Sequence, residues 1–519
     1  MIMKKIFKGL VYLSLIIVGI FIFSPFAFAT WDDQTSGQTV AINDVSMASA
    51  TVGWAVGAST GGGAGDTGLI LYTEDGGETW TRQSATVPNV ELNGVSAVDE
   101  NTAWVVGDTN TTNGVILYTT DAGTTWTQQT DGGTVPNLNL NDVAAVDANT
   151  AWVVGDVAVG GDPGGIDATV LYTTDAGANW TEQTSSVNDV DLFGVSAVDE
   201  NTAWAVGETD GTNGVIIYTT DAGTNWTQQT ATVPNFNLNS VSAVDENTAF
   251  AVGVTDGTNG IILATTDAGT TWTQQTAAVP DFNLNDVSAL TANVVWVVGQ
   301  TDGTNGIVLK TTDGGTTWEQ ETTTVPDQDL NGVSAVNLAN VWAVGAAGTI
   351  IKYSDTTAPI VTLNTITSPT TDTTPTFTGS ATDSGSESNI NAVQFRVDDE
   401  TWSSATITAG RGTPDVDYEF TTAALSDGEH TVYVRATDTV GNTTAETNYA
   451  SQTFIVDTGS NSDLLNTGGS FNYSLPLFLS SVISLGFYLF LNHYRFNHSF
   501  ESIPLGEFPK KRRVYLIQF

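Results

Sequence analysis

Short apolar stretches separated by turn-forming residues recur along most of the chain. Between Asn237 and Thr276, the stretches "VSAV", "TAFAVG", "IILATT" and "TTWTQQT" are separated by "DEN", "TDGTNG" and "DAG". Runs of this length, rich in Val, Ile, Thr and aromatic residues and bounded by Gly, Asp and Asn, are typical of β-strands joined by tight turns. The longer apolar periodicity of a helical repeat is missing from this region. The pattern therefore predicts four short antiparallel strands per unit.

The same unit recurs at a nearly constant period, which a tryptophan marks. The spacing is 46 residues, except for 54 between Trp126 and Trp180, where residues 155–170 form a loop insertion. A fixed period of this size with four strands per unit predicts a β-propeller. The marker tryptophans are Trp80, Trp126, Trp180, Trp226, Trp272 and Trp318.

A seventh unit lacks one strand, and the N-terminal segment supplies a match for it. The stretch "NGVSAVNLANVWAVGAAGTIIKYSD" (331–355) contains three strands and then stops. The segment "TWDDQTSG" (30–37) is similar to "TWTRQSAT" (79–86), which carries the fourth strand of another unit. Pairing these segments would close the ring without a free sheet edge. We therefore predict a seven-bladed propeller over residues 30–356.

The octapeptide "TTDAGTTW" (119–126) lies between the third and fourth strands of a unit and recurs in variant form in six units. We predict that its aspartate caps the turn, its glycine supplies a positive φ, and its tryptophan packs between blades. These roles are structural. The predicted positions are Asp75, Asp121, Asp175, Asp221, Asp267 and Asp313, with the six marker tryptophans.

These octapeptides resemble the repeats of the Asp-box, or bacterial neuraminidase repeat, propellers. The run "VSAVDENTAWAVG…ILYTTDAGTTW" is most similar to the photosystem II stability/assembly factor family. The resemblance implies a propeller that docks proteins, with the boxes on the face opposite the ligand. Strand order gives the same assignment of faces. That family is commonly described as docking through a basic surface, whereas residues 30–356 contain only Arg82, Lys310 and Lys352 as basic residues.

Opposite the boxes, each first strand begins with a motif such as "INDV", "LNGV" or "LNDV". A ring of amides and carboxylates at the channel mouth could bind a sugar, a peptide or Ca²⁺. Alternatively, each asparagine caps its own turn, and repetition in every blade favours that structural role. The asymmetric places are Phe193 and the 155–170 loop. The candidate ligand-binding residues are Asn43, Asn93, Asn141, Asp142, Phe193, Asn239, Asn285, Asp286 and Asn331.

Residues 357–458 resemble a bacterial immunoglobulin-like module, and the alternation in "HTVYVRATD" predicts a sandwich strand. Such a module is expected to act as a stalk for the propeller. Asp383, Asp438 and Asn442 lie in or beside loops, where they either cap turns or bind Ca²⁺. Turn capping is the simpler interpretation, so no metal site is assigned.

Both ends of the chain predict export and anchoring. Residues 1–29 have the basic start, apolar run and small-residue end of a signal peptide, with an uncleaved anchor as the alternative. Residues 459–474 form a linker, 475–491 a transmembrane helix and 492–519 a basic cytoplasmic tail. The stretch "LLNTG" (464–468) is similar to a sortase signal, although Leu465 stands in place of the usual proline.

The composition of the chain argues against several classes of function. The chain has 57 acidic and 14 basic residues, a net charge of −43, which argues against nucleic acid as a partner. It has no cysteine, and residues 30–356 contain no histidine, which argues against thiolate, Ser–His–Asp and His-ligated zinc chemistry. The three arginines of a sialidase are missing too. No catalytic residue is assigned.

We therefore expect an all-β, exported, envelope-anchored binding or adhesion protein that recognises a protein or a glycan outside the cell. It requires no cofactor, with Ca²⁺ as the one alternative. A photosystem II assembly-factor-like protein that docks a membrane-protein client is the rival interpretation. A glycoside hydrolase is the second, since two carboxylates suffice for that reaction.

Overall fold

The computed structural model describes residues 30–59, 67–84, 86–129, 135–157, 168–321, 325–355, 357–383 and 388–459. The predicted signal peptide, transmembrane helix, cytoplasmic tail and sortase-like stretch lie outside these residues, as do nearly all of the linker and the middle of the 155–170 loop. Among the described residues, no helix has the length and apolar character needed to span a membrane.

Within the described residues, the chain from Thr30 to Ser354 forms seven four-stranded antiparallel sheets. Each sheet is a blade, its first strand lies innermost, and the first strands of successive blades contact one another around a central channel. The first strand of blade 1 also contacts that of blade 7, so the ring is closed.

The strand bounds follow the repeat of the sequence. Blades 1 to 4 comprise Ile42–Met47, Gly53–Gly57, Leu69–Thr73 and Thr81–Gln83; Leu92–Ala97, Ala103–Thr109, Gly114–Thr119 and Thr127–Gln128; Leu140–Ala145, Ala151–Gly155, Thr169–Thr173 and Thr181–Glu182; and Leu192–Ala197, Ala203–Thr209, Gly214–Thr219 and Thr227–Gln228. Blades 5 to 7 comprise Leu238–Ala243, Ala249–Thr255, Gly260–Thr265 and Thr273–Gln274; Leu284–Ala289, Val295–Thr301, Gly306–Thr311 and Glu319–Gln320; and Leu330–Asn337, Asn340–Gly345, Ile350–Ser354 and Thr30–Asp33.

The N-terminal strand completes blade 7, as the sequence predicted. Thr30–Asp33 pairs antiparallel with Ile350–Ser354, and Trp31 lies opposite Tyr353. The indole of Trp31 is fully buried and meets Trp296 of blade 6 edge-on, with ring centroids 5.7 Å apart. Trp31 therefore occupies in blade 7 the place that a marker tryptophan occupies in the other blades.

The second strands carry the core because neighbouring blades cover both of their faces. Their apolar stretches, such as "AWVVG" and "AWAVG", are continuously buried, which is the pattern of a strand covered on two sides. Their tryptophans contact tyrosines of the third strands; Trp204 stacks on Tyr218 with a centroid separation of 4.0 Å. Among the described residues, one apolar cluster lies at each of the seven blade boundaries.

Residues 360–456 form two four-stranded sheets that pack as a β-sandwich, which confirms the immunoglobulin-like prediction. Alternate residues point inward, and in Asp415–Thr421 the side chains of Val416, Tyr418 and Phe420 are buried. The strands are Ile360–Leu363, Thr376–Thr382, Asp415–Thr421 and Thr406–Ala409 in one sheet and Ser403–Ser404, Ile390–Val397, Gly428–Asp438 and Ala450–Val456 in the other.

The described residues contain no α-helix. Two short 3₁₀ segments, Ala346–Gly348 and Glu446–Asn448, complete the secondary structure of this part of the chain.

Candidate functional site

The structure brings all nine candidate ligand-binding residues together at one end of the channel. They surround a cavity of about 100 Å³, and Asp44 and Ser240 complete its lining. We call this set of eleven residues the channel mouth. The residues converge because each lies at the second or third position of an innermost strand, and the ring repeats that position around one axis.

The asparagines of the channel mouth connect neighbouring blades. Each donates a hydrogen bond from Nδ2 to the carbonyl oxygen of the first residue of the next innermost strand, at 2.7–3.0 Å. The last of these bonds, from Asn331 to Ile42, joins blade 7 to blade 1. The donors and acceptors are Asn43–Leu92, Asn93–Leu140, Asn141–Leu192, Asn239–Leu284, Asn285–Leu330 and Asn331–Ile42.

Three aspartates of the channel mouth also cross blade boundaries. The Oδ2 atom of Asp142 accepts a hydrogen bond from the backbone N–H of Val195 at 2.8 Å, and its Oδ1 accepts one from its neighbour Val143 at 2.7 Å. Asp44 makes the equivalent pair of bonds in blade 1. Asp286 accepts one bond from the next blade and a second from the Ser240 hydroxyl at 2.6 Å.

The environment of the mouth raises the pKa of all three carboxyl groups. For Asp142, burial raises the pKa to about 7, although the bonds from the backbone of Val195 and Val143 lower it. Burial also raises the pKa of Asp44 well above its ordinary value, and the charges of Asp286 and Asp142 add to that effect. Burial raises the pKa of Asp286 as well. The mouth therefore holds three carboxyl groups whose ionisation is opposed by burial and by their mutual repulsion.

Glycines at the same position of other blades leave room for these carboxylates. A Cβ atom on Gly94 would lie 3.0 Å from the Asp142 carboxylate, and one on Gly332 would lie 3.1 Å from that of Asp44. A side chain at either glycine would therefore require the neighbouring blade to shift by a few tenths of an ångström. Blade 5 differs, because its Ser240 stands beside Asp286 of blade 6 and donates a hydrogen bond to it.

Blade 4 breaks the symmetry of the mouth. Phe193 replaces the asparagine and Gly194 the aspartate, so neither position has a side chain that hydrogen-bonds to blade 5. The Phe193 ring is half-buried and lines the cavity. The asymmetric position singled out by the sequence is therefore part of the mouth, next to the blade boundary that has the fewest of these polar bridges.

Sequence reasoning overlooked a second belt of interblade bonds. A serine inside each innermost strand, except that of blade 3, accepts a bond from a backbone N–H of the next blade at 3.0–3.1 Å. The recurrent "VSA" was the available clue, but an isolated serine in a strand does not reveal its partner. Ser240 was likewise not among the residues that the sequence placed at the mouth.

The Asp-box turns lie at the opposite ends of the strands. In blade 2, Asp121 accepts hydrogen bonds from the backbone N–H and the hydroxyl of Thr125, and these bonds lower the pKa of Asp121. Gly123 has a positive φ of 72°, and a Cβ atom there would overlap the side chain of Gln83. In blade 1, Gly76 of the box bonds to Thr51 in the turn between the first and second strands, which places the two turns on one face.

The box tryptophans pack against the preceding blade. Trp272 is 1% exposed and meets Trp204 of blade 4 at 88°, with ring centroids 5.6 Å apart. Trp180 meets Trp104 in the same way at 5.7 Å. These contacts between blades are those expected of an interblade wedge.

The three basic residues of the propeller are engaged within the ring. Lys310 lies over the Trp296 ring and Lys352 over the Trp342 ring, both at 5.0 Å from the centroid. Arg82 donates to the carbonyl and hydroxyl oxygens of Thr67. None of them forms part of a basic docking patch, in contrast to the expectation raised by the assembly-factor resemblance.

A larger cavity of about 650 Å³ lies on the Asp-box side, between blades 1 and 7 and the sandwich. Its walls include Asp75 and Lys352 from the propeller and Asn389, Thr439 and Val440 from the sandwich. Sequence reasoning did not anticipate this interdomain cleft, because its walls come from residues more than 300 positions apart.

The matching solved structures include a peptide-bound protein and an enzyme. The chain is similar to YCF48 bound to D1 peptide (20% identity over 63% of this chain and 97% of the other, TM-score 0.48). It is also similar to YCF48 from Cyanidioschyzon merolae (18%, 63% and 99%, TM-score 0.47) and to the GH74 xyloglucanase from Xanthomonas campestris (12%, 68% and 60%, TM-score 0.46). No curated protein sequence matches the chain.

Two family models match. The bacterial Ig-like domain matches residues 364–458, in agreement with the observed sandwich. The model described as photosynthesis system II assembly factor YCF48 matches residues 25–183 and 235–357, more than half of the chain. With its four-stranded blades and repeated Asp-box turns, this protein belongs to the family of the photosynthesis system II assembly factor YCF48.

Proposed function

We propose that this protein is a non-enzymatic, exported and envelope-anchored binding protein that uses its propeller to recognise a protein or a glycan outside the cell. The observation that carries this proposal is the burial and hydrogen bonding of the carboxyl groups at the channel mouth. Burial and mutual repulsion oppose their ionisation, and backbone and hydroxyl donors already engage their oxygens. A cationic ligand would stabilise their ionised form, and oxygens held by these donors are poorly placed to exchange protons with a substrate.

The ligand chemistry follows from the charge and the size of the mouth. A cavity of about 100 Å³ holds a few water molecules or the end of one side chain, well below the ~300 Å³ or more typical of a small-molecule pocket. Burial raises the pKa of Asp44 and Asp142, and repulsion between the carboxylates adds to it; an ammonium or guanidinium group would oppose both effects. We therefore favour a protein ligand that inserts a basic side chain and covers the surrounding rim.

Phe193 adds an apolar contact at one side of the mouth. Its ring lines the cavity where the other blades present amides, so a ligand would meet one aromatic surface beside an acidic ring. An aromatic ring attracts a cation through its face, by about 0.5–1 kcal/mol where the contact is solvent-exposed. The asymmetry would fix the orientation of a ligand on an otherwise repetitive ring.

Against an enzymatic role stands the hydrogen bonding of the mouth. A glycosidase needs one carboxyl group as an acid and another as a base or nucleophile, about 5–10 Å apart, on opposite sides of a bound sugar. At the mouth, Asp44 and Asp142 each accept backbone bonds on both oxygens, and the cavity between them is too small for a sugar ring.

Export and anchoring rest on the sequence of the two ends. The basic and apolar features of residues 1–29 support secretion, and residues 475–491 with the basic tail support a membrane anchor. Family membership is compatible with a docking role for the propeller. If the ligand is a membrane-protein client, the protein acts as an assembly factor. If the ligand lies on the surface of a host or neighbouring cell, the protein acts as an adhesin.

The test is binding of the full chain to protein and glycan arrays, with and without Ca²⁺. We expect a basic protein ligand whose affinity falls about tenfold or more in Asp142→Ser, which introduces the side chain that blade 5 carries at this position. The matched control is Glu319→Gln, a loss of one charge on the exposed outermost strand of blade 6. If the two variants bind the ligand with equal affinity, the binding site lies outside the channel mouth.

Two further outcomes separate the alternatives. Capture of a membrane-protein client in a pull-down would favour the assembly-factor interpretation over adhesion. Release of sugars from a polysaccharide panel, abolished by Asp142→Ser and retained by Glu319→Gln, would contradict the non-enzymatic proposal. Absence of any ligand under all conditions would overturn recognition as the function.

A further inference from the structure

Three aspartates meet where the propeller joins the sandwich. Asp355 follows the third strand of blade 7, Asp383 follows the sandwich strand Thr376–Thr382, and Asp438 ends the strand Gly428–Asp438. One carboxylate oxygen from each lies within 4.8 Å of the other two. All three residues are buried, with exposed fractions of 6%, 1% and 0% respectively. We call this group the junction triad.

The hydrogen bonds of Asp355 leave one of its carboxylate oxygens available to the triad. Asp438 uses Oδ1 to accept three backbone N–H bonds, from Val440, Gly441 and Asn442, at 2.7–3.0 Å. Asp355 uses Oδ1 to accept the N–H of Thr357 at 2.8 Å. Its Oδ2 is buried and has no hydrogen-bond partner among the described residues.

The charge of the triad requires compensation. The ion pairs of the described sandwich include Arg396–Glu446 and His430–Asp398, which lie outside the triad. Buried carboxylates this close together repel one another, and a buried charge is costly unless an opposite charge lies beside it. The group therefore calls for a cation.

We propose that the junction triad is a Ca²⁺ site that links the propeller to the immunoglobulin-like stalk. Its ligands are oxygen atoms, which Ca²⁺ prefers and binds at about 2.3–2.6 Å. Two such ligands on opposite sides of one ion lie about 4.6–5.2 Å apart, which agrees with the span of the triad. Mg²⁺ requires a tighter octahedron, with opposite ligands about 4.0–4.2 Å apart.

The surrounding contacts indicate what the ion would do. Asn442 donates from Nδ2 to the carbonyl oxygen of Asp355 and to Oδ2 of Asp438, so one amide bridges the two domains. The cleft-lining residue Thr439 directly follows Asp438, and its backbone N–H bonds to Asn389, a second cleft residue. Ca²⁺ at the triad would therefore fix the angle of the head on its stalk and the width of the interdomain cleft.

The test uses the full chain, stripped with EDTA and titrated with Ca²⁺ alone. We expect stoichiometric Ca²⁺ binding that raises Tm, with Mg²⁺ binding at least tenfold more weakly. Asp355→Asn should lower the Ca²⁺ affinity tenfold or more. In EDTA the same variant should melt at or above the wild-type temperature, because it removes one buried charge, and in Ca²⁺ it should melt below it.

This reversal distinguishes a metal ligand from a turn cap, because loss of a cap would lower Tm by the same amount in both buffers. Asp417→Asn, on the exposed face of the sandwich, is the matched control. It removes one negative charge outside the triad and so reports the effect of Ca²⁺ screening the charge of the whole chain. Asp383→Asn provides a second variant and should behave like Asp355→Asn. The proposal fails if the Ca²⁺ affinities of Asp355→Asn and Asp417→Asn are equal, or if Ca²⁺ leaves the wild-type Tm unchanged.

Discussion

The carboxylate of Asp142 connects blade 3 to blade 4 through a 2.8 Å hydrogen bond from the backbone N–H of Val195 to Oδ2. The same bond joins Asp44 to Val95 and Asp286 to Val333. The bonds from the backbone favour the ionised carboxylate, whereas burial favours its neutral form. Because burial has the larger effect on the pKa, a measurable pH dependence follows.

The thermal stability of the propeller should fall as pH rises through neutrality. The pKa of Asp142 is about 7 in the folded protein, above the value of about 4 expected for an unfolded chain. The folded state therefore holds this proton more tightly, and the resulting stabilisation is complete below pH ~4 and is lost as pH rises through 7. Melting temperatures of the wild type between pH 5 and pH 8 provide the measurement.

The matched variant for this prediction is Asp142→Ser. This variant loses the bond to Val195 at every pH, and it also loses the carboxyl group that titrates. The Tm of the variant minus that of the wild type should therefore be larger at pH 8 than at pH 5. Asp313→Asn in an Asp-box turn is the control, because hydrogen bonds lower the pKa of that carboxyl. If the plots of Tm against pH for the wild type and Asp142→Ser are parallel, the raised pKa assigned to Asp142 is wrong.

Phe193→Asn should stabilise the propeller and weaken ligand binding. The new amide would face the carbonyl of Leu238, as Asn141 faces that of Leu192 at 2.9 Å, and a hydrogen bond of this kind contributes about 0.5–1.5 kcal/mol. Denaturant unfolding and affinity for the array-identified ligand are the two measurements. A variant that is less stable than the wild type would show that the Phe193 ring itself supports the blade boundary.

Trp272→Ala should destabilise the ring more than Trp204→Phe does. Both rings are fully or almost fully buried, but blade 5 already carries Phe250 at the position equivalent to Trp204. Truncation of a buried tryptophan to alanine costs about 3–5 kcal/mol, whereas the aromatic replacement keeps most of the contact. Equal losses of unfolding free energy in the two variants would argue against the wedge role of Trp272.

Trp31→Ala should open the ring at blade 7. Trp31 packs against Trp296 and Tyr353, and the strand that carries it has only four residues, so few other contacts hold that strand in place. We expect a loss of about 3–5 kcal/mol in unfolding free energy and faster proteolysis near the N-terminus. Asp32→Asn on the same strand is the control and should leave both measurements nearly unchanged.

The blades, their number and the turn conformation at the boxes could all be predicted from the sequence. Strand and turn patterns depend on residues within about ten positions of one another. When such a pattern recurs at a fixed period, the prediction from each unit is supported by all the others. The match between residues 30–37 and 79–86 even predicted the closing strand, because identical positions in a repeat take identical places in the fold. Local chemistry was enough for each of these conclusions.

The hydrogen-bond partners of the polar side chains could not be predicted from the sequence and became visible in the folded ring. An asparagine at a strand start could equally cap its own turn, yet Asn93 donates to Leu140, 47 residues later, and Asn331 donates to Ile42, 289 residues earlier. In the same way, Asp383 and Asp438 looked like turn caps until the end of blade 7 placed Asp355 beside them. Hydrogen-bond partners are chosen by distance in space, and the curvature of the closed ring, together with the junction to the sandwich, sets those distances.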